Sequence, residues 1–369
     1  MGFYRQLGIP TYINAHDTYT VYGGSRMNKR TLAAMAEAAE SFVSLEEMQR
    51  ILGKKIAELT HNEGAYISNG AAGGLMLAAA VCMAKGEMYR YARLPNTEGI
   101  PNEIIVMRAQ RNAYDAAILG SGAKIVEIGD ADETLAYDLQ GTIGPNTSAP
   151  FYFAPETFSR ASMPLKQAIS ICHEKGIPVV VDAAAQLPPV ANLWNYTALG
   201  ADLVLFSGGK TLAGPQDSGL VLGRQNMVED CIRFGAPAHG VCRASKTSRE
   251  AMAGLYTALE QFLQQSEQTV YEQQLQICQT LVGALQAAGL QANIVPKGAV
   301  GQSYPRVFGS CQSFAQAAAL QAAMLEQHIY IGADKAAAAI TFSPQNLTEQ
   351  EASLVAEAIR RVLPNVPGK

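Results

Sequence analysis

The sequence has little charge and no surplus of positive charge. Of its 369 residues 16% are charged, and the formal net charge is −4. Phosphate-backbone binding needs a dense basic surface, so nucleic acid is not an expected partner. Metal-ligand patterns are missing too. The six cysteines (Cys82, Cys172, Cys231, Cys242, Cys278 and Cys311) form no Cys-x-x-Cys pair, and none has a histidine at zinc spacing. No metal is expected, and scattered cysteines in a long chain read as reduced thiols. Long apolar runs are also absent. The most apolar stretch, 71–84, is 14 residues long and contains Gly73 and Gly74. That is too short to span a bilayer and suits a buried helix. Residues 1–12 carry no apolar core of a secretory signal. The expectation is a cytoplasmic protein without membrane association.

What is present is apolar material, at 48% of the chain. This suffices for a large core and argues against disorder. The length fits two or three domains, or one large α/β domain with an appendage. Residues 1–30 read as an irregular arm rich in Tyr, Gly and Thr. Helical spacing starts near Asn28, and a capping pattern at Ser44 opens a second helix. A third helix covers about 71–85. Short apolar strands then alternate with helices. The strands fall at 104–107, 124–128, 150–154, 178–181, 202–206 and 219–223, and helices are predicted at 113–119 and 164–174. Such alternation predicts an α/β fold with a mostly parallel sheet flanked by helices. From 248 one long helical stretch reaches 288. Short strands (292–295, 306–308, 338–342) and two helices (313–326, 348–363) follow. The expected division is an arm (1–30), a large α/β domain (31–247) and a smaller C-terminal α+β domain (248–369).

In an open parallel sheet, ligands gather at the carboxyl ends of the strands. Three features fall there. Asp182 follows a Val-rich strand, where a buried carboxylate is costly unless it meets a cation. A protonated pyridinium nitrogen is such a cation, although a local cap would read the same way. Lys210 lies 28 positions further on, after Gly208 and Gly209. The glycines permit close backbone approach, and a lysine held in a site can act as an amine nucleophile. A surface lysine in a Gly-rich turn is the plainer alternative. Ser207 offers a hydroxyl to a phosphate. The third feature is Ser68-Asn69-Gly70-Ala71-Ala72-Gly73-Gly74, small residues leading into a helix whose N-terminus favours an anion. No Gly-Lys-Ser/Thr follows, so it is not a Walker loop. A dinucleotide reading needs an acid about 20 residues on. The nearest acids, Glu87 and Glu98, miss that offset.

A phosphate cradle, an acid for a ring nitrogen and a lysine nucleophile, in this order, resemble fold-type I pyridoxal-phosphate (PLP) enzymes. Within them the chain resembles the group related to selenocysteine synthase (seryl-tRNA selenium transferase). The most specific match is Phe206-Ser207-Gly208-Gly209-Lys210-Thr211-Leu212-Ala213-Gly214-Pro215-Gln216. Ile13-Asn14-Ala15, Ser68-Asn69-Gly70-Ala71-Ala72 and Asp182-Ala183-Ala184 support it, and the likeness runs from about residue 8 to the C-terminus. The resemblance implies that Lys210 carries PLP as a Schiff base and moves the proton at the substrate α-carbon. It implies that Asp182 keeps the pyridine nitrogen protonated, and that Gly70, Ala71, Ala72 and Ser207 hold the phosphate. It further implies a homodimer or higher homo-oligomer with the site at the subunit interface. The segment 240–246 resembles one close to the site, so Arg243 is a candidate for a substrate or cofactor anion; a surface ion pair is the alternative. The residue stacking on the ring stays open among Gln110, Arg111, Asn112 and Tyr114. His16-Asp17 departs from the group, which tends to have a glycine there.

Shorter bacterial members of the group include D-glucosaminate-6-phosphate ammonia-lyases, which release a 2-keto acid and ammonia. The expected reaction is therefore PLP-dependent α,β-elimination from a small-molecule amino acid or amino sugar acid. Racemase, β-lyase or aldolase chemistry shares the same parts, and fold does not separate them. A non-catalytic scaffold is disfavoured by the intact Asp182 and Lys210. Arg108, Arg111, Arg160 and Arg243 are all candidate anion binders.

Overall fold

The computed structural model describes residues 2–366. They fall into two compact units, one formed by 27–264 and the other by the N-terminal segment up to 26 together with 265 onward. The larger unit is built on a seven-stranded sheet. Its spatial order is Gly64–Asn69, Ser218–Gly223, Leu203–Ser207, Val180–Asp182, Thr147–Phe153, Glu103–Met107, Lys124–Ile128. All neighbours are parallel except around Ser218–Gly223, which runs antiparallel to both of its partners.

That single reversal has a simple cause. Each parallel step is bridged by a helix: Asp115–Gly120, Ala136–Thr142, Leu165–Glu174 and Asn192–Ala198. Between Ser207 and Ser218 there is no regular element. A parallel return needs a crossover of a dozen or more residues, so a short irregular loop must turn the chain back.

The strands are apolar on both faces, and successive side chains feed two separate cores. Ile104, Val106, Val180, Leu203 and Leu205 pack with the helix Gly70–Ala84 and with Tyr91 and Phe234. Ile105, Met107, Val181, Val204 and Phe206 pack with residues of Leu45–Leu59, Leu165–Glu174 and Arg249–Gln264. Each fully buried aliphatic or aromatic side chain contributes about 1.5–3 kcal/mol. The helix Gly70–Ala84 is apolar around its whole circumference, as a helix enclosed by neighbours must be, and ten of its residues are buried. Two earlier helix starts follow their caps. The Asn28 side chain accepts from Thr31 N at 2.9 Å, and Ser44 Oγ accepts from Glu47 N at 3.3 Å.

The smaller unit has a four-stranded antiparallel sheet in the order Gly332–Asp334, Ala339–Phe342, Arg306–Ser310, Ala292–Val295. Glu267–Ala287, Phe314–Glu326 and Glu349–Val362 supply its helices, around a core that includes Leu281, Val307, Leu320, Phe342 and Val355. Ile13–Asn14 in the N-terminal segment is not irregular: it pairs in parallel with Ile329–Tyr330. The single helical stretch expected over 248–288 is two helices, Arg249–Gln264 and Glu267–Ala287. Ser266 makes the break, because its side chain caps the second helix by accepting from Thr269 N at 3.3 Å. A capping hydroxyl competes with helix continuation.

Candidate active site

Six strands of the large sheet share one direction; the ends of five of them, with the start of the antiparallel strand, form the edge that concerns the site. Asn69, Met107, Phe153, Asp182, Ser207 and Ser218 mark it. Asp182 is the last residue of the central strand and is 7% exposed. Its Oδ1 accepts from Ala184 N at 2.8 Å. Burial pushes the carboxyl pKa up, while the Ala184 N–H and the positive charge of Lys210 pull it back. The lysine and the acid, 28 positions apart, therefore share one electrostatic neighbourhood. Sheet register produces this: Asp182 pairs with Leu205, and Ser207 N donates to Ala184 O at 3.2 Å.

The loop carrying Lys210 is held tightly. Gly208 N donates to Ser218 O, Gly214 N to Gly208 O and Ala213 N to Lys210 O, each at 2.8 Å. Thr211 Oγ1 donates to Leu187 O at 2.8 Å, tying the loop to the segment after Asp182. A Cβ on Gly209 would lie 2.7 Å from Gln216 Cα, so this turn excludes side chains. Lys210 thus projects from a fixed base, as a nucleophile needs.

The candidate cradle lies at the same edge. Gly70 adopts φ +63° and its N–H donates to Asp217 O at 3.0 Å, binding the helix start to the lysine loop. Ser68 Oγ donates to Gly70 O at 2.8 Å. A Cβ on Gly219 would come within 2.5 Å of Gly70 O, so a glycine there lets the two segments touch. Asn69 stands at the N-cap but makes no side-chain cap; its Nδ2 donates instead to Lys246 O at 2.8 Å. The 15-residue helix thus starts without a side-chain cap, and a Cβ at Gly70 would meet nothing within 4 Å. Open ground above a positive helix end of this kind suits a phosphate. Hydrogen bonds through Ala184 thus link Asp182 with Ser207, and another ties Gly70 to Asp217 at the far end of the loop that carries Lys210. Ala71 and Ala72 follow in the open first turn.

The other candidates separate by their partners. Gln110 is fully buried; its Oε1 accepts from Phe153 N at 2.9 Å and its Nε2 donates to Ser162 Oγ at 3.0 Å. It brackets two strand ends, a role that sequence reasoning missed. Arg111 pairs with Asp115 at 2.6 Å and Glu127 at 2.9 Å, and Arg108 pairs with Glu127 at 2.6 Å. Arg160 is a surface residue 3.9 Å from Asp132. Tyr114 is 53% exposed. Arg243 sits half-buried on the turn Val241–Ala244, and among the described residues its guanidinium has no carboxylate partner. Of the four arginines, only Arg243 has no carboxylate within 4 Å among the described residues. Gln186 was also missed: it is 7% exposed and its N–H donates to Ala183 O at 2.9 Å, closing the turn after Asp182.

A profile of the L-seryl-tRNA selenium transferase (SelA) family matches residues 20–304. The chain belongs to the SelA family. Among curated SelA-related proteins, the chain is 30% identical over 296 residues to the D-glucosaminate-6-phosphate ammonia lyase of Salmonella typhimurium, covering 79% of this chain and 77% of that one. It is 32% identical over 280 residues to a 5'-C-glycyluridine monooxygenase-decarboxylase of Streptomyces, covering 74% and 68%. A solved structure of D-glucosaminate-6-phosphate ammonia-lyase superposes with TM-score 0.86 at 26% identity over 99% of both chains. Serine palmitoyltransferase from S. paucimobilis shares the fold, with TM-score 0.62 at 16% identity over 96% of this chain and 88% of that one. The SelA-family chain is a PLP-dependent lyase of fold type I. Its residues fit that cofactor. An uncapped helix start faces open space, and a buried acid whose pKa is raised by burial lies in the field of a lysine on a rigid loop. Among the described residues no helix is long and apolar enough to cross a membrane.

Proposed function

We propose that the protein is an ammonia lyase for an amino sugar acid of the D-glucosaminate-6-phosphate type, releasing a 2-keto acid and ammonia. The observation that carries this reading is Asp182, a buried carboxylate in the field of Lys210 at the sheet edge. PLP, when bound, supplies the electron sink for the pair left at the substrate α-carbon. The chain's residues do the rest. Lys210 anchors the cofactor, removes the α-proton and delivers a proton to the departing β-hydroxyl. Asp182 would face the ring nitrogen as its counter-charge. Gly70, Ala71, Ala72 and Ser207 hold the cofactor phosphate, and Arg243 meets a further anionic oxygen of cofactor or substrate. The water lost in elimination is regained when ammonia leaves, so the net change is substrate to keto acid plus ammonia.

The test offers purified holoenzyme D-glucosaminate-6-phosphate, D-glucosaminate and D-serine while ammonia and keto acid are assayed. Equal amounts of both products, fastest from the phosphorylated sugar acid, are expected. Release of carbon dioxide without ammonia would instead favour a decarboxylase, the chemistry named for the Streptomyces relative.

We propose also that it works in the cytoplasm as a homodimer. A run of exposed apolar side chains in the N-terminal segment, Phe3, Tyr4, Leu7, Ile9, Tyr19 and Val21, supports an oligomer. Light scattering should give twice the chain mass, and cell fractionation should recover the protein with soluble markers. A monomer mass or a membrane fraction would remove the respective claim.

A further inference from the structure

Tyr91, a member of one of the two cores, is not among the candidate site residues. It lies on the short helix Met88–Arg93 and is fully buried. Its hydroxyl donates to Phe234 O and accepts from Cys242 N at 3.4 Å, so one side chain ties both ends of 234–242. Its ring stacks on Phe234, with centroids 4.5 Å apart and planes 9° from parallel. Gly240, at φ +150°, passes across that ring. A Cβ there would lie 2.5 Å from Cε1 and 2.7 Å from Cζ of Tyr91.

The same segment is fastened again three to four residues after Cys242. Lys246 O accepts from Asn69 Nδ2 at 2.8 Å, and Ser245 Cβ lies 3.5 Å from where a Cβ of Gly73 would be. Between the fastenings, Arg243 N donates to Gly240 O and Ser245 N to Cys242 O, both at 3.0 Å. Arg243 therefore stands in a span pinned to Tyr91 on one side and to the start of Gly70–Ala84 on the other. A long flexible cation is worth most to an anion when its backbone is already placed, because ordering it on binding costs affinity.

We propose that Tyr91 is a positioning residue, which fixes the turn 240–244 so that Arg243 is held beside the helix start as part of the anion site. This rests on the reading of Arg243 given above. A buried tyrosine that serves only the core would act on stability and independently of Arg243, and a mutant cycle separates the two cases.

The variants are Tyr91→Phe, which keeps the stacked ring and loses the hydroxyl, Arg243→Gln, and both together. Each is measured for PLP affinity from the visible band of titrated apoprotein, for KM and kcat with D-glucosaminate-6-phosphate, and for melting temperature. Arg243→Gln should weaken PLP binding or raise KM by about tenfold or more, as loss of a charge-assisted pair does. Which constant moves tells whether the anion is the cofactor's or the substrate's. Tyr91→Phe should move that same constant by about three- to tenfold with kcat nearly unchanged, and the double variant should be no worse than Arg243→Gln alone. Gly240→Ala, which pushes the chain off the ring, should reproduce the Tyr91→Phe shift and stands in if that variant does not fold. Multiplying effects in the double variant, or unchanged constants in Tyr91→Phe, would overturn the positioning role while leaving Arg243 in place. An Arg243→Gln protein with both constants unchanged would remove the Arg243 reading itself, and the role of Tyr91 with it.

Discussion

Lys210→Ala should lower turnover by at least about 10³-fold, because one side chain is asked to act as both anchor and proton carrier. The loss should fall on kcat far more than on melting temperature. Lys210 is half-buried on a loop whose own backbone bonds fix it, so removing the side chain leaves those bonds intact. Small amines added to the variant should restore a minor part of the rate, since the pocket left by the side chain can admit one. A variant retaining more than a tenth of wild-type turnover would show that the reaction does not pass through this lysine.

Asp182→Asn should have opposite effects on the apoprotein and the holoenzyme. Burial raises the folded carboxyl's pKa above its ordinary value, more than the Ala184 N–H and Lys210 lower it. The fold therefore prefers the protonated form. The group stabilises the fold at low pH, and that contribution is lost as the pH climbs past the ordinary carboxylate range toward the folded pKa. At neutral pH the ionised group costs the apoprotein stability, so Asp182→Asn apoprotein should melt about 1–3 °C higher than wild type. With PLP present the order should reverse, because the neutral amide no longer meets a ring cation. Turnover should fall by about 10²–10³-fold, the range typical of losing a preorganised charge at a reacting centre. Scanning calorimetry of both proteins with and without PLP reads this directly. An apoprotein variant that melts lower than wild type would mean that the carboxylate is already compensated within the chain.

Much of this site was legible because its parts are local in sequence. The Val-rich run ending at Asp182 and the Ser207 to Gln216 segment each carry their chemistry within a dozen residues. Alternating strands and helices then determine that both must reach one sheet edge, as the pairing of Asp182 with Leu205 bears out. The glycine-led helix start at this edge was legible for the same reason, from small residues opening a helix. What was not legible depends on distant partners. Nothing near Gln110 in sequence indicates that its amide holds Phe153, and nothing near Tyr91 points to Cys242. The four arginines looked alike until Glu127 and Asp115 were found to occupy two of them. The break at Ser266 and the reversal at Ser218 were legible in principle, from a capping hydroxyl and from a loop too short for a crossover.

The central claim is that Lys210 carries PLP, and peptide mass spectrometry after borohydride reduction of the holoenzyme tests it most directly. The account predicts that the yellow band bleaches and that one peptide, the one containing Lys210, gains the mass of a reduced cofactor adduct. Label on another lysine, such as Lys246, or a protein that takes up no PLP at all, would contradict it.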